Sequence, residues 1–239
     1  MADWVAIPDN VLEPGDPVRS VDVLALRDNP IAIAERASGA PPVEGAVKSV
    51  QVFTTGGTWN KPSGVGLVVV EVIGAGGGGA SSNNAGNLGG GGGGSGGYAK
   101  KLIDVASIDS STITVGAGGT AGSGGVGEAG GSGGASSWAD GTNTVSATGG
   151  SGGNAGVRGT GGAGSGGTIN GFGYRGVSAT GLQGGAGGDL PLFGRGGLDS
   201  SGVGNPGEGF GGGGAGGTDA GGGEAGAAGA PGAVIVWEF

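Results

Sequence analysis

The chain has 239 residues and a net charge of −9, and 71 of its residues are glycine, against an average usage of roughly 7%. It contains neither cysteine nor histidine, which excludes disulfides, thiolate chemistry and any Ser-His-Asp arrangement. Its 19 acidic and 10 basic side chains are thinly spread, which argues against a nucleic-acid partner, and no apolar stretch approaches the roughly 20 residues of a membrane span.

Residues 1–45 are not glycine-rich. Met1-Ala2-Asp3-Trp4 lacks the basic and apolar regions of a signal peptide, so Sec-dependent export is not indicated. Ile7-Pro8-Asp9 and Glu13-Pro14-Gly15-Asp16 read as turns. Ser20 is a fair N-cap for a short helix carrying Val21, Leu24 and Ala25, and Asn29-Pro30 ends it and opens a second piece with Ile31, Ile33 and Ala34. Ala40-Pro41-Pro42 closes the zone as a stiff linker. So short a helical segment cannot bury a core of its own and calls for a partner, either copies of itself or another protein.

A second domain, 46–239, opens and closes on strand-like segments. Val47–Thr55, Val65–Ile73, Tyr98–Val105, Ser111–Val115, Thr144–Ala147 and Ala233–Phe239 are predicted strands. In the last, Ile235, Trp237 and Phe239 face one way and Val234, Val236 and Glu238 the other. In Val65–Ile73 both faces are apolar, which predicts burial on both sides. Asp140-Gly141 predicts a hairpin turn between Trp138 and Thr144. Strands at both ends of the glycine-rich material imply that the first and last pair in one β-sandwich, with insertions at about 74–97, 116–134 and 149–232.

Three explanations of those insertions compete. Collagen fails because only Pro191, Pro206 and Pro231 follow residue 74. A flexible linker needs no register, yet Gly116 onward reads GAG GTA GSG GVG EAG GSG. From Gly150 one track is pure glycine at 150, 153, 156, 159 and 162, with Ser151, Asn154, Val157, Thr160 and Ala163 beside it. A period of three is the repeat of the polyproline-II helix, which makes no internal hydrogen bonds, so each N–H and C=O must find a neighbouring helix. The expectation is a mainly β fold whose β-sandwich frame carries a lattice of packed polyglycine-II helices, with a short helical segment at the N-terminus.

Gly74–Gly79 satisfies G-x-G-x-x-G after a strand, but Ser81-Ser82-Asn83-Asn84 follows in place of a helix. Gly184–Asp189 fits the start of a calcium β-roll repeat and stands alone, leaving calcium a minor alternative. No carboxylate pairs with a base at a convincing spacing, so the chain is read as a non-enzyme with no cofactor and no metal. The interruptions Ser81–Leu88, Thr168–Arg175 and Asp189–Arg195 should mark helix reversals or the lattice edge. Phe172, Phe193 and Phe210 either pack on the frame or join an exposed tip. On the second reading Phe172, Tyr174, Arg175, Leu190, Leu192 and Phe193 form a recognition set, since aromatics and Arg dominate interface energies.

Phe53-Thr54-Thr55-Gly56-Gly57-Thr58-Trp59-Asn60-Lys61-Pro62, then Val68–Gly79, resembles the opening of the glycine-rich domain of phage tail-fibre proteins. Thr114–Gly119 and Gly232–Phe239 are similar to its later strands. The glycine-rich domain of the anaplastic lymphoma kinase receptor is similar in architecture, but this chain lacks cysteines. The phage resemblance implies a virion protein assembled in the host cytoplasm, with polyglycine-II helices and variable distal loops that bind the bacterial surface. The receptor would be a glycan or an outer-membrane protein. Val11–Glu13 and Leu24–Pro30 are similar to leader segments of tail structural proteins. They imply attachment to tail or baseplate proteins through residues 1–45, in copies brought together, with a trimer favoured. The rivals are a purely structural fibre component and a cell-wall glycine-rich protein.

Overall fold

The computed structural model describes residues 47–124, 126–198, 201–219 and 221–239, which fall in one compact unit, Val47–Phe239. The predicted helices and attachment segment of residues 1–45 lie outside the described residues.

The unit is mainly β. Strands β1 (Ser49–Phe53), β3 (Leu67–Ile73), β4 (Tyr98–Asp104), β9 (Ile169–Gly171) and β12 (Ala233–Glu238) form one antiparallel sheet in the order β1-β12-β3-β4-β9. A second antiparallel sheet holds β2 (Gly57–Asn60), β5 (Ser110–Thr114), β6 (Ser136–Ala139), β7 (Thr144–Ala147) and β8 (Gly164–Ser165), in the order β2-β5-β6-β7-β8. β10 (Gly194–Arg195) and β11 (Glu208–Gly209) make a separate ribbon. The first strand does pair with the last, Val50 opposite Trp237 and Val52 opposite Ile235.

Alternation explains which side chains enter the core. Val68, Val70 and Val72 of β3, Val234 and Val236 of β12, and Ala99 and Ile103 of β4 meet Ile113, Trp138, Val145 and Ala147 of the facing sheet. Trp59 and Trp138 pack at 4.9 Å between ring centroids. The opposite face of β3 departs from the expected two-sided burial: Leu67 is exposed and Val69 half-buried. Nothing among the described residues layers over that end of the sheet, so its second apolar row stays at the surface. Glu238 follows the alternation inward and is fully buried. Its carboxylate accepts hydrogen bonds from Trp59 Nε1 and Gln51 Nε2, both at 2.7 Å, and from Ser49 Oγ. The two adjacent lysines of β4 both find partners: Lys100 pairs with Glu71 of β3 at 2.7 Å, and Lys101 donates to Asn143 Oδ1.

The glycine segments leave the strand ends and return to them, hydrogen-bonded to one another with a period of three. The N–H groups of Gly74, Gly77 and Ala80 donate to the carbonyls of Gly97, Gly94 and Gly91. Those of Ala75, Gly78 and Ser81 donate to Gly134, Gly131 and Glu128, and those of Gly76, Gly79 and Ser82 to Ala230, Ala227 and Glu224. Segment 74–82 thus donates to three neighbours by turns. It accepts from three others, through the N–H groups of Gly119, Gly150 and Gly214 among them. Every N–H of the segment and most of its carbonyls are paired in this way without strand pairing. A Cβ on Gly76, Gly77, Gly78 or Gly79 would fall closer than 3.0 Å to a neighbouring backbone carbonyl, which is why glycine occupies this segment.

The register from Gly150 to Ala163 is broken by a fold-back that its period conceals. Gly156 has φ +68°, and around it Asn154 and Val157 exchange two hydrogen bonds. The side-chain track therefore faces itself, with Ser151 Oγ 3.1 Å from Thr160 Oγ1. Glycine at 156 serves the turn, and the atoms nearest its missing Cβ belong to the Leu88 side chain and not to a backbone. Segment 116–123 likewise folds back on 128–134, with Gly131 donating to Thr120 and Gly134 to Ala117.

Candidate functional site

The two long interruptions meet beside the first sheet, at the end of the glycine segments opposite the reversals around 83–88, 156 and 180–183. Thr168–Arg175 is not a tip loop: its Ile169–Gly171 part is edge strand β9, paired with Tyr98–Lys100. Asn170 exchanges hydrogen bonds with the backbone of Gly167 and fixes the approach to that strand. Asp189–Arg195 is a tight reversal. The N–H of Leu190 donates to the Gly194 carbonyl, and the N–H groups of Phe193 and Gly194 donate back to Leu190. Asp189 Oδ1 accepts the Gly196 N–H at 2.7 Å, and Arg195 lies opposite Glu208 in the short ribbon.

The six candidate side chains divide into two groups. Leu190 is buried against Ile73 and Ala233, with Phe193, Phe210, Tyr98 and Ile235 packed around them. Phe193 stacks on Tyr98 at 5.3 Å between centroids. Leu190 and Phe193 therefore act first as packing that seats the reversal on the sheet, as does Phe210. Phe172 (80%), Tyr174 (60%) and Leu192 (98%) are exposed, and so is Arg175. Leu192 also has φ +76°, a left-handed conformation that costs a branched side chain about 1–3 kcal/mol.

Five of the six line two adjoining depressions that share the wall Leu190–Phe193. One is a pocket of about 210 Å³ completed by Tyr98, Gly171 and Phe172. The other is an open groove reaching Tyr174, Asp189, Arg195 and Glu208. Arg175 lines neither. Burial, and after it the Glu71 carboxylate, push the Tyr98 phenol up to about 12, so it presents a neutral O–H near neutral pH. Among the described residues no three acidic side chains gather to hold a metal ion.

Tyr98, Arg195 and Glu208 also line these depressions and were not among the sequence candidates. Tyr98 had a readable signal: it shares strand parity with Lys100, whose side of β4 faces away from the sandwich core. Arg195 and Glu208 had none, because a two-residue ribbon separated by twelve positions leaves no periodic trace.

The sequence pattern and this architecture agree with a comparison against protein families, in which the glycine-rich domain matches residues 51–237. A search of curated proteins found no match. With most of its length covered by that one match, the chain belongs to the glycine-rich domain family.

Proposed function

We propose that the protein is a phage tail-fibre or tail-tip adhesin that binds the bacterial surface through the groove beside the first sheet. The observation that carries this reading is Leu192. A leucine that is 98% exposed at φ +76° gives the fold nothing. Glycine or asparagine would fit that conformation better, and an apolar side chain in water gains nothing from burial. A strained, exposed apolar residue is instead what contact with another surface requires, and Phe172 and Tyr174 stand beside it. Small side chains dominate the glycine segments and offer little contact energy by comparison.

On this reading the glycine segments are polyglycine-II helices. The support is the turn of hydrogen-bond partners by one third at each residue along 74–82, which is the symmetry of a three-residue helix. Their role is a rigid scaffold on which the bulky residues are held. Residues 1–45 would join the protein to other tail proteins and gather copies, a trimer being the favoured number.

The test is adsorption of virions carrying Leu192→Gly, and separately Tyr174→Ala with Arg175→Ala. Leu192→Gly should leave the fold intact or stabilise it while reducing adsorption at least tenfold. Normal adsorption by both variants would leave a purely structural fibre component as the better reading.

A further inference from the structure

We infer that the pocket between Tyr98, Phe172 and Leu192 takes an aromatic or branched aliphatic side chain of a polypeptide, with a cationic residue next to it. This rests on the adhesin reading and names the chemistry of its receptor. The pocket is lined by Phe172, Leu190, Pro191, Leu192 and Phe193, and Tyr98 is the one lining residue with a polar side-chain group. A sugar ring placed there would bury several hydroxyls with too few partners, each unpaired group costing about 1–3 kcal/mol. An apolar side chain meets no such penalty.

The adjoining groove decides the neighbouring charge. Asp189, Arg195 and Glu208 line it, two carboxylates to one guanidinium, in a chain of net charge −9. Asp189 Oδ1 is held by the Gly196 N–H, and Arg195 sits directly across from Glu208. The surplus is anionic. It favours a lysine or arginine on the incoming segment and disfavours phosphorylated or acidic sugars. The exposure of Leu192 at the lip shared by pocket and groove gives the incoming chain an apolar edge against which both side chains can be set.

The experiment is heteronuclear NMR titration of the full chain, labelled with ¹⁵N, following the amides of Gly171 and Gly194. The probes are N-acetyl-Phe-Lys-amide, N-acetyl-Phe-Glu-amide, N-acetylglucosamine and glucose 6-phosphate. The Phe-Lys peptide should shift both amides saturably, at least threefold more tightly than the Phe-Glu peptide. Leu192→Gly should weaken it at least tenfold, and Glu208→Gln should narrow the gap between the two peptides. Saturable shifts from either sugar without the peptides would overturn the inference in favour of a glycan. Silence from every probe, or unchanged peptide binding in Leu192→Gly, would overturn it too. None of these outcomes touches the adhesin reading, which is judged on whole-cell adsorption.

Discussion

Gly79→Ala tests whether the close approach of glycine segments holds the domain together. The added Cβ would lie closer than 3.0 Å to the carbonyl oxygen and carbon of Ala215 and to the nitrogen of Gly216. All three are backbone atoms, so no side chain can swing aside. Segments 74–82 and 211–219 would have to part by on the order of 1 Å, stretching hydrogen bonds beyond the roughly 3.2 Å limit for N–H···O. Two such bonds join these segments, Gly214 N–H to Gly77 O and Gly217 N–H to Ala80 O, both at 2.9 Å. Leaving their buried groups unpaired costs about 1–3 kcal/mol each. Reduced freedom of the unfolded chain returns about 0.4–1 kcal/mol. The net loss is then about 1–5.5 kcal/mol. Gly66→Ala is the control, since nothing lies within 4 Å of its Cβ position and the unfolded-chain term alone applies. In urea denaturation with a slope of about 2 kcal/mol/M, Gly79→Ala should lower the midpoint by about 0.5–3 M, while Gly66→Ala leaves it level or slightly raised. Midpoints within about 0.3 M of each other would refute the packing argument.

Glu238→Ala should destabilise the domain by about 2–6 kcal/mol, because it strands the donors of Trp59 and Gln51. Glu238→Gln should cost less than half as much, its amide oxygen still accepting both; equal losses in denaturant would show that the carboxylate ties β12 to β1 and β2 by charge instead. The phenol of Tyr98 is raised from 10.0 to about 12 by burial and then by Glu71. Its contribution to stability is therefore complete below pH 10 and lost as pH climbs towards 12. Tyr98→Phe should show a shallower fall in melting temperature over that window, and an unchanged fall would place the titration elsewhere.

Much of this fold was legible because β-branched runs and strict alternation leave strong marks. β3, β4, β7 and β12 lie within a residue or two of where Val, Ile and Thr put them, and the pairing of first with last strand follows from their flanking the glycine. The Asp140-Gly141 turn was also visible, and Asp140 does accept the N–H groups of Thr142 and Asn143. The fold-back at Gly156 was hidden, because a glycine required by positive φ is indistinguishable in sequence from one required by close packing. Gly-Ser, Gly-Arg and Glu-Gly have no β-propensity, so β8, β10 and β11 exist only through their neighbours. At the candidate site, bulk among small residues drew attention to two interruptions that the fold brings side by side. It could not tell Leu190 and Phe193, which face the sheet, from Phe172 and Leu192, which face solvent, since a reversal has no parity to read.

Amide hydrogen exchange on the intact chain tests most directly whether the glycine segments form an ordered, mutually bonded scaffold. The amides of Gly77, Gly78, Gly79 and Ala80, and of Gly91 to Gly94, all donate to neighbouring segments. They should exchange as slowly as those of β3 and only through global unfolding, while Gly141 in its exposed turn exchanges fast. Exchange of the 77–80 and 91–94 amides at the rate of an unstructured peptide would contradict the scaffold, and with it the basis for a held binding groove.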